Sequence, residues 1–130
     1  MIPIRSTPCP CASGQPFEQC CGRFIRGEAL PPSAEALMRS RYSAYVLEDE
    51  GYLLATWHPR TRPARLDLAR PPRPKWLGLS IKARSDQDEA HATVAFVARY
   101  KIDGRAHRLH ENSRFERLEG RWFYLDGDVS

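Results

Sequence analysis

The hydrophobic and polar positions of this chain follow a helical period in the middle and a strand period towards the end. From residue 34 to residue 46, apolar side chains recur at spacings of three and four, which predicts a helix with one buried face. Ser33 stands at the predicted N-cap, where a side-chain oxygen accepts from free backbone N–H groups. A second helix is predicted for residues 49–57. His58-Pro59 ends it, because proline disfavours helical geometry in the preceding residue.

The last third of the chain alternates between apolar and polar residues, which predicts β-strands. The predicted strands are 76–81, 92–100, 106–117 and 122–125. Turn signals separate them, and the clearest is Asp103-Gly104. Four strands joined by tight turns predict an antiparallel meander. Because the helices come first, the whole pattern predicts an α+β fold with helices packed on one face of the sheet.

Composition and charge narrow the number of domains, the kind of partner and the location that are compatible with this fold. A chain of 130 residues forms one compact domain with room for a small appendage. Arginine supplies 17 of the 20 basic residues, which suits planar anions, although a G- and C-rich genome produces the same bias. No long apolar run is present, so neither a signal peptide nor a membrane span is predicted. We therefore expect a cytoplasmic protein with reduced thiols.

All four cysteines lie within 13 residues, at Cys9, Cys11, Cys20 and Cys21. Four thiolates in two close pairs can surround one tetrahedral Zn²⁺ at about 2.3 Å, and the Ser13-Gly14 backbone can donate to their sulfurs. The alternatives are a disulfide pair or buried free thiols. Residues 1–32 show little periodicity, so the sequence predicts a module that a zinc ion orders. Four sulfur ligands leave no position for a substrate, which makes this zinc structural or a docking element.

The cysteine segment resembles the SEC-C motif. The resemblance rests on CPCASG at residues 9–14, Phe17 and Cys20-Cys21. This motif is a small zinc module at the C-terminus of the SecA translocation motor and on several unrelated bacterial proteins. The family pattern has glycine where this chain has Ala12, which removes no ligand. Because the motif in SecA is associated with a chaperone and the ribosome, the resemblance implies a module that docks a protein partner.

The rest of the chain resembles the bacterial YchJ family. The blocks that carry this resemblance include AEALMRSRYSAY at 34–45, TWHP at 56–59, WLGL at 76–79, FVARY at 96–100 and GRWFY at 120–124. The resemblance implies that residues 33–130 form a nuclear-transport-factor-2-like domain, a cone in which helices lean on a curved antiparallel sheet. It implies no particular activity.

A cone of this kind often encloses a pocket between helices and sheet. The candidate pocket residues are Arg41, Trp57, His58, Glu111 and Trp122. Arg41 lies at the edge of the apolar helix stripe, and Glu111 shares a strand face with Phe115. Glu111 can act as a general base with a raised pKa, or as the partner of Arg41 in a salt bridge that joins helix to sheet. The salt bridge is the favoured interpretation.

Three functions are compatible with these features. The favoured one is an adaptor that docks a protein partner through the zinc module. The second is an enzyme or small-ligand binder that uses the cone pocket, although no P-loop, GxGxxG or complete HExxH motif is present. The third is nucleic-acid or ribosome binding through the basic connector of residues 58–75. Its arginines are Arg60, Arg62, Arg65, Arg70 and Arg73.

Overall fold

Short helices precede a four-stranded sheet in the computed structural model, which describes residues 7–130. A 3₁₀ turn at Phe17–Gln19 is followed by the helices α1 (Cys21–Ile25), α2 (Ala34–Leu47) and α3 (Glu50–Ala55). The strands are β1 (Lys75–Asp86), β2 (His91–Ile102), β3 (Arg105–Leu118) and β4 (Arg121–Val129). Within residues 7–130, no helix is both long enough and apolar enough to cross a membrane.

The sheet is an antiparallel meander in the order β1-β2-β3-β4, which confirms the predicted α+β fold. The strands extend beyond the predicted apolar segments, because the hydrogen-bonded ladder continues through exposed polar residues. Strict alternation over the predicted strand 76–81 places Leu77 on the same face as the buried Leu79, but Leu77 is 42% exposed. A bulge between Trp76 and Gly78 reverses the alternation there, so Trp76 packs against the core in place of Leu77.

Helix α2 is buried on several sides. Its N-cap is the predicted one, since the Ser33 hydroxyl accepts from the Ala36 N–H at 3.1 Å. The helical period places Ser43 off the apolar stripe, and a polar residue there predicts exposure. Ser43 is nevertheless fully buried, because the N-terminal module covers that side of the helix. The apolar face of α2 packs on inward-facing residues of the sheet. That interface includes Leu37, Met38, Tyr42, Val94, Phe96 and Phe115.

The chain after α3 pairs with the last strand. The predicted second helix ends at Ala55, two residues early, because the backbone at Thr56 and His58 turns to β4. The N–H of Tyr124 donates to the Thr56 carbonyl at 2.9 Å, and the N–H of His58 donates to the Tyr124 carbonyl at 2.7 Å. This short parallel bridge closes one end of the space between the helices and the sheet.

The N-terminal module packs directly on the main domain. Cys9, Cys11 and Cys21 are buried and belong to the same apolar cluster as α2 and the sheet. The predicted boundaries of 1–32 and 33–130 stay a prediction, and the first six residues lie outside the part of the chain described. The module is thus an extension of one core, with its cysteines turned towards α2.

Candidate functional site

The four cysteines converge on one point. Their Sγ atoms all lie within 4.8 Å of one another, and the cysteines are free of disulfides. The Cys11–Cys20 sulfurs are 3.6 Å apart and the Cys20–Cys21 sulfurs are 3.9 Å apart. Four sulfurs at about 2.3 Å from a tetrahedral metal are separated by about 3.8 Å. The spacing therefore fits a four-sulfur metal centre, and these residues can hold a metal ion.

A small hairpin presents the first pair of cysteines. The N–H of Cys9 donates to the Gln15 carbonyl at 3.0 Å, and the N–H of Ala12 donates to the Cys9 carbonyl at 3.1 Å. Ala12 has φ = 66° and Gly14 has φ = 84°, so both adopt the left-handed region. Ala12 thus takes the conformation that the glycine of the SEC-C pattern takes without strain.

The second pair begins helix α1. Cys20 is the N-cap of α1, and Cys21 is its first residue. The next residue, Gly22, faces Phe17 so closely that a Cβ atom would lie 2.8 Å from the Phe17 carbonyl oxygen. A glycine is therefore required beside the cysteine pair, because a side chain would push the 3₁₀ turn away from α1.

Hydroxyl groups surround the sulfurs. The Ser13 hydroxyl lies 3.1 Å from the Cys20 sulfur, and the buried Ser43 hydroxyl lies 3.6 Å from the Cys9 sulfur. Ser13 was expected to donate to the sulfurs from its backbone N–H, and the contact seen here comes from its side-chain hydroxyl. Arg39 donates from Nη1 to the Cys11 carbonyl at 2.9 Å, which ties the hairpin to helix α2. Such contacts orient ligands and support their charge.

Ionisation of one thiol in the cluster makes ionisation of its neighbours less favourable. Hydrogen bonds from the thiols of Cys11 and Cys21 lower the pKa of Cys9. The pKa of Cys21 is raised, first by hydrogen bonds with Cys11 and Cys9 and then by burial. The pKa of Cys20 is raised mainly by burial. One thiolate is therefore stabilised at the expense of its neighbours. Four thiolates can coexist here only when a cation compensates their charge.

A cavity of about 230 Å³ lies between helix α2 and the sheet. Three of the five predicted pocket residues line it, namely Arg41, Trp57 and Glu111. Most of its wall is aromatic or aliphatic, with Trp76 and Phe96 among the contributors. The sequence interpretation thus located the cavity, but it missed Tyr124 and Tyr45, whose hydroxyls also belong to this wall.

Arg41 is only 3% exposed. Its Nη1 donates to the Leu53 carbonyl at 2.8 Å and to the Thr56 hydroxyl at 2.7 Å. The guanidinium carbon lies 5.0 Å from the Trp57 ring centroid and 4.6 Å from that of Tyr124. Burial lowers the pKa of Arg41, since the charged form has lost its water.

The prediction of a salt bridge between Arg41 and Glu111 is wrong. No ion pair of Arg41 with any carboxylate occurs within residues 7–130. Glu111 is half-buried on the predicted strand face, where Oε2 accepts from the Ser113 hydroxyl at 2.6 Å and the Tyr124 hydroxyl at 3.0 Å. Tyr124 contacts both residues, and its ring takes the position beside Arg41 that a carboxylate would need.

His58 and Trp122 do not line this cavity. His58 is buried at the closed end, where Nδ1 accepts from the Arg60 N–H at 3.0 Å and Nε2 donates to Glu116 at 3.1 Å. Trp122 borders a separate groove near α1. The pairing of the segment after α3 with β4 causes both differences, and no local sequence signal indicates that pairing.

The arginines of the connector are largely engaged within the chain. Arg62 donates to the Trp57 carbonyl at 2.8 Å, Arg65 pairs with Asp67 at 3.4 Å, and Arg73 pairs with Glu48. These contacts hold three of the five predicted phosphate-binding side chains to the protein's own surface.

A four-cysteine centre packed on an α+β domain with an antiparallel sheet defines a class of small proteins that join a SEC-C motif to a nuclear-transport-factor-2-like domain. Two family models match the two parts. The SEC-C motif covers residues 5–23, and the model described as YchJ, middle NTF2-like domain, covers residues 33–127. The chain belongs to the YchJ-like family, whose curated members are named UPF0225 proteins.

Relatives and solved structures agree with this assignment. UPF0225 proteins from Ralstonia nicotianae and Cupriavidus metallidurans are 54% and 59% identical to this chain. The first alignment covers 98% of this chain and 95% of the relative, and the second covers 94% and 89%. A SEC-C motif containing protein from Rhodopseudomonas palustris has a TM-score of 0.83 at 33% identity, covering 95% of this chain and 99% of its own. One from Psychrobacter arcticus has a TM-score of 0.76 at 27% identity, covering 98% of this chain and 84% of its own.

Relief of the strained backbone at Ala12 is expected to stabilise the metal-loaded protein. Ala12→Gly removes a left-handed cost of about 1–2 kcal/mol and restores about 0.4–1 kcal/mol of chain entropy to the unfolded state. We expect the free energy of unfolding, measured with urea, to rise by up to about 1 kcal/mol. The control Ala69→Gly lies in an exposed loop without positive φ and should slightly destabilise the protein. Equal effects of the two substitutions would contradict the strain at Ala12.

The contact between Glu116 and His58 is expected to make stability depend on pH. The hydrogen bond from His58 lowers the pKa of Glu116 from its ordinary value of 4.5. A carboxyl with a depressed pKa stabilises the folded state above pH 4.5, and this contribution is lost as the pH falls through the folded pKa. Glu116→Gln should therefore cost stability at neutral pH and progressively less in acid. The exposed variant Glu89→Gln should show no such trend, and a Glu116→Gln cost that is constant with pH would exclude this role.

Proposed function

We propose that this chain is a zinc-binding adaptor protein, in which one Zn²⁺ on Cys9, Cys11, Cys20 and Cys21 fastens the N-terminal module to the main domain. The observation that carries the proposal is the convergence of the four sulfurs within 4.8 Å on a buried face of α2. A set of four thiolates favours zinc or iron, and a closed site of this kind serves structure. Zinc supplies charge compensation and cross-linking when bound. A cytoplasmic location is part of the proposal, since a reducing compartment keeps the thiols available.

The adaptor role follows from a groove at the junction of the module and the main domain. Phe24 and Leu30 form one side of it, while Trp122 and Phe123 form the other. Leu30 is 56% exposed and lies in this groove beside a tryptophan and a phenylalanine, so it offers apolar surface to a partner. Because each part of the protein contributes one wall, the groove exists only while the module is held in place. Metal binding and partner docking are thereby coupled.

The groove favours a peptide with an apolar anchor and acidic neighbours. Its apolar walls accept one or two buried side chains, and its volume of about 200 Å³ matches that size. Arg121 lines the groove, and Arg23 lies over the ring of Phe24 at 4.6 Å. Both guanidiniums can pair with carboxylates at the rim. We therefore propose a protein partner. The connector gives less support to a nucleic-acid partner, because three of its arginines are engaged within the chain.

Metal analysis tests the zinc centre. Protein purified without added metal should contain one zinc per chain, and chelation should expose four titratable thiols and lower the unfolding temperature. The variant Cys20→Ser/Cys21→Ser should lose the zinc. A metal-free preparation with four reactive thiols and unchanged stability on adding Zn²⁺ would contradict the proposal, and stoichiometric iron would replace zinc as the metal.

Two exposed leucines provide a matched test of docking. Leu30→Glu places a charge in the groove, whereas Leu47→Glu places one on a leucine of similar exposure, 51%, at the end of α2. A partner captured from lysate by the wild type should be lost with Leu30→Glu and with chelated protein, and retained with Leu47→Glu. Retention by Leu30→Glu, or equal loss in both variants, would rule out the groove as the docking site.

A further inference from the structure

The cavity between α2 and the sheet contains a buried cation, Arg41, which forms no direct ion pair with a carboxylate among residues 7–130. Arg41 is 3% exposed and keeps its charge at any physiological pH. Glu111, on the sheet wall of the same cavity, is held by the hydroxyls of Ser113 and Tyr124. A buried charge is costly without an ionic partner. The charge of Glu111 acts on Arg41 only across the cavity, so the wall on the α2 side presents a positive charge without a carboxylate in contact with it.

Hydrogen-bond donors remain unused around this cation. In the described part of the chain Arg41 donates to three acceptors, the Leu53 carbonyl and the hydroxyls of Thr56 and Tyr45, so two of the five guanidinium N–H groups stay available. The indole Nε1 of Trp57 is buried, and in the described part of the chain it has no acceptor. Trp57 lines the same cavity, and its ring lies 5.0 Å from the guanidinium carbon. Buried donors without acceptors are rare in native proteins, so the Trp57 N–H calls for an acceptor from outside the described chain, such as a water or a ligand oxygen.

The rest of the cavity suits a flat apolar body. Trp76, Phe96 and Leu109 line it, and the edge of Tyr42 meets Trp76 at a centroid distance of 5.7 Å. A cavity of about 150 Å³ with apolar walls accommodates benzene. At about 230 Å³, this one has room for one or two fused rings and a small polar group.

We propose that the cavity binds a small aromatic carboxylic acid. The carboxylate accepts hydrogen bonds from Arg41 and Trp57, and the ring packs between Trp76 and Phe96. A carboxylate is planar and offers two acceptor oxygens, so it matches two separate donors and places a negative charge in direct contact with Arg41. The inference is independent of the metal centre and of the groove, since it uses neither the cysteines nor Leu30.

Matched acid and amide probes test this proposal on the full, metal-loaded chain. The probes are indole-3-carboxylate with indole-3-carboxamide, and 1-naphthoate with 1-naphthamide. Binding is followed by two-dimensional NMR of the tryptophan indole N–H groups, with the Trp57 signal assigned through Trp57→Phe. At least one acid should bind about tenfold tighter than its amide, because hydrogen bonds to a charged group exceed neutral ones in strength. The Trp57 signal should move downfield as its N–H gains an acceptor.

Two variants separate the polar contacts from packing. Arg41→Met should weaken the acid about tenfold or more and the amide several-fold less, because the amide loses a hydrogen bond to a neutral acceptor only. Trp57→Phe keeps an aromatic ring and removes the N–H, so it should weaken the acid about threefold to tenfold. Trp122→Phe, in the other groove, should have no effect. If Arg41→Met fails to fold, Trp57→Phe decides. Equal affinity for acid and amide, no binding of either acid up to its solubility, or equal effects of Trp57→Phe and Trp122→Phe would overturn the proposal.

Discussion

The burial of helix α2 is the interaction on which the other parts of the structure depend. Eight of its 14 residues are buried, and they face the sheet, helix α3 and the cysteine module. Three of these residues are polar, so each must find a partner inside the protein. Ser40 bonds to the Tyr52 hydroxyl at 2.7 Å, Arg41 bonds to the carbonyl end of α3, and Ser43 lies against the Cys9 sulfur. These contacts place α3 and the module around one helix.

Features with a strong local signal were predictable from the sequence. The cysteine spacing, the Ser33 cap and the two-residue alternation of the strands each depend on neighbouring residues, and the structure contains all three. The predictions that failed concern contacts between residues that are far apart in the sequence. A bulge exposes Leu77, the bridge to β4 buries His58 outside the cavity, and the ring of Tyr124 replaces a carboxylate beside Arg41. Periodicity reports which face of an element is apolar, and it contains no information on which distant group meets a buried polar side chain.

The cysteine cluster and the cavity both lie against helix α2. Arg39 and Ser43 contact the cysteine module, while Arg41 and Tyr42 line the cavity. The residues that contact the module and those that line the cavity lie within little more than one turn of α2. Ordering of the module therefore restrains the part of the helix that forms the cavity wall. A metal that binds only the folded state stabilises that state by mass action. A metal held by the four cysteines would therefore stabilise the cavity wall as well as the module, even though no residue named here contacts both sites.

Hydrogen bonds hold the polar groups of the cavity wall in place. Arg41 is anchored on Leu53 and Thr56, and Glu111 is anchored on Ser113 and Tyr124. Groups that are already held in place lose little entropy when a ligand arrives, which favours affinity for a rigid molecule. A guanidinium keeps its protons at physiological pH, so the role of Arg41 in the proposed site is to hold an anion, and a proton exchanged there would have to involve another group of the wall, such as Glu111.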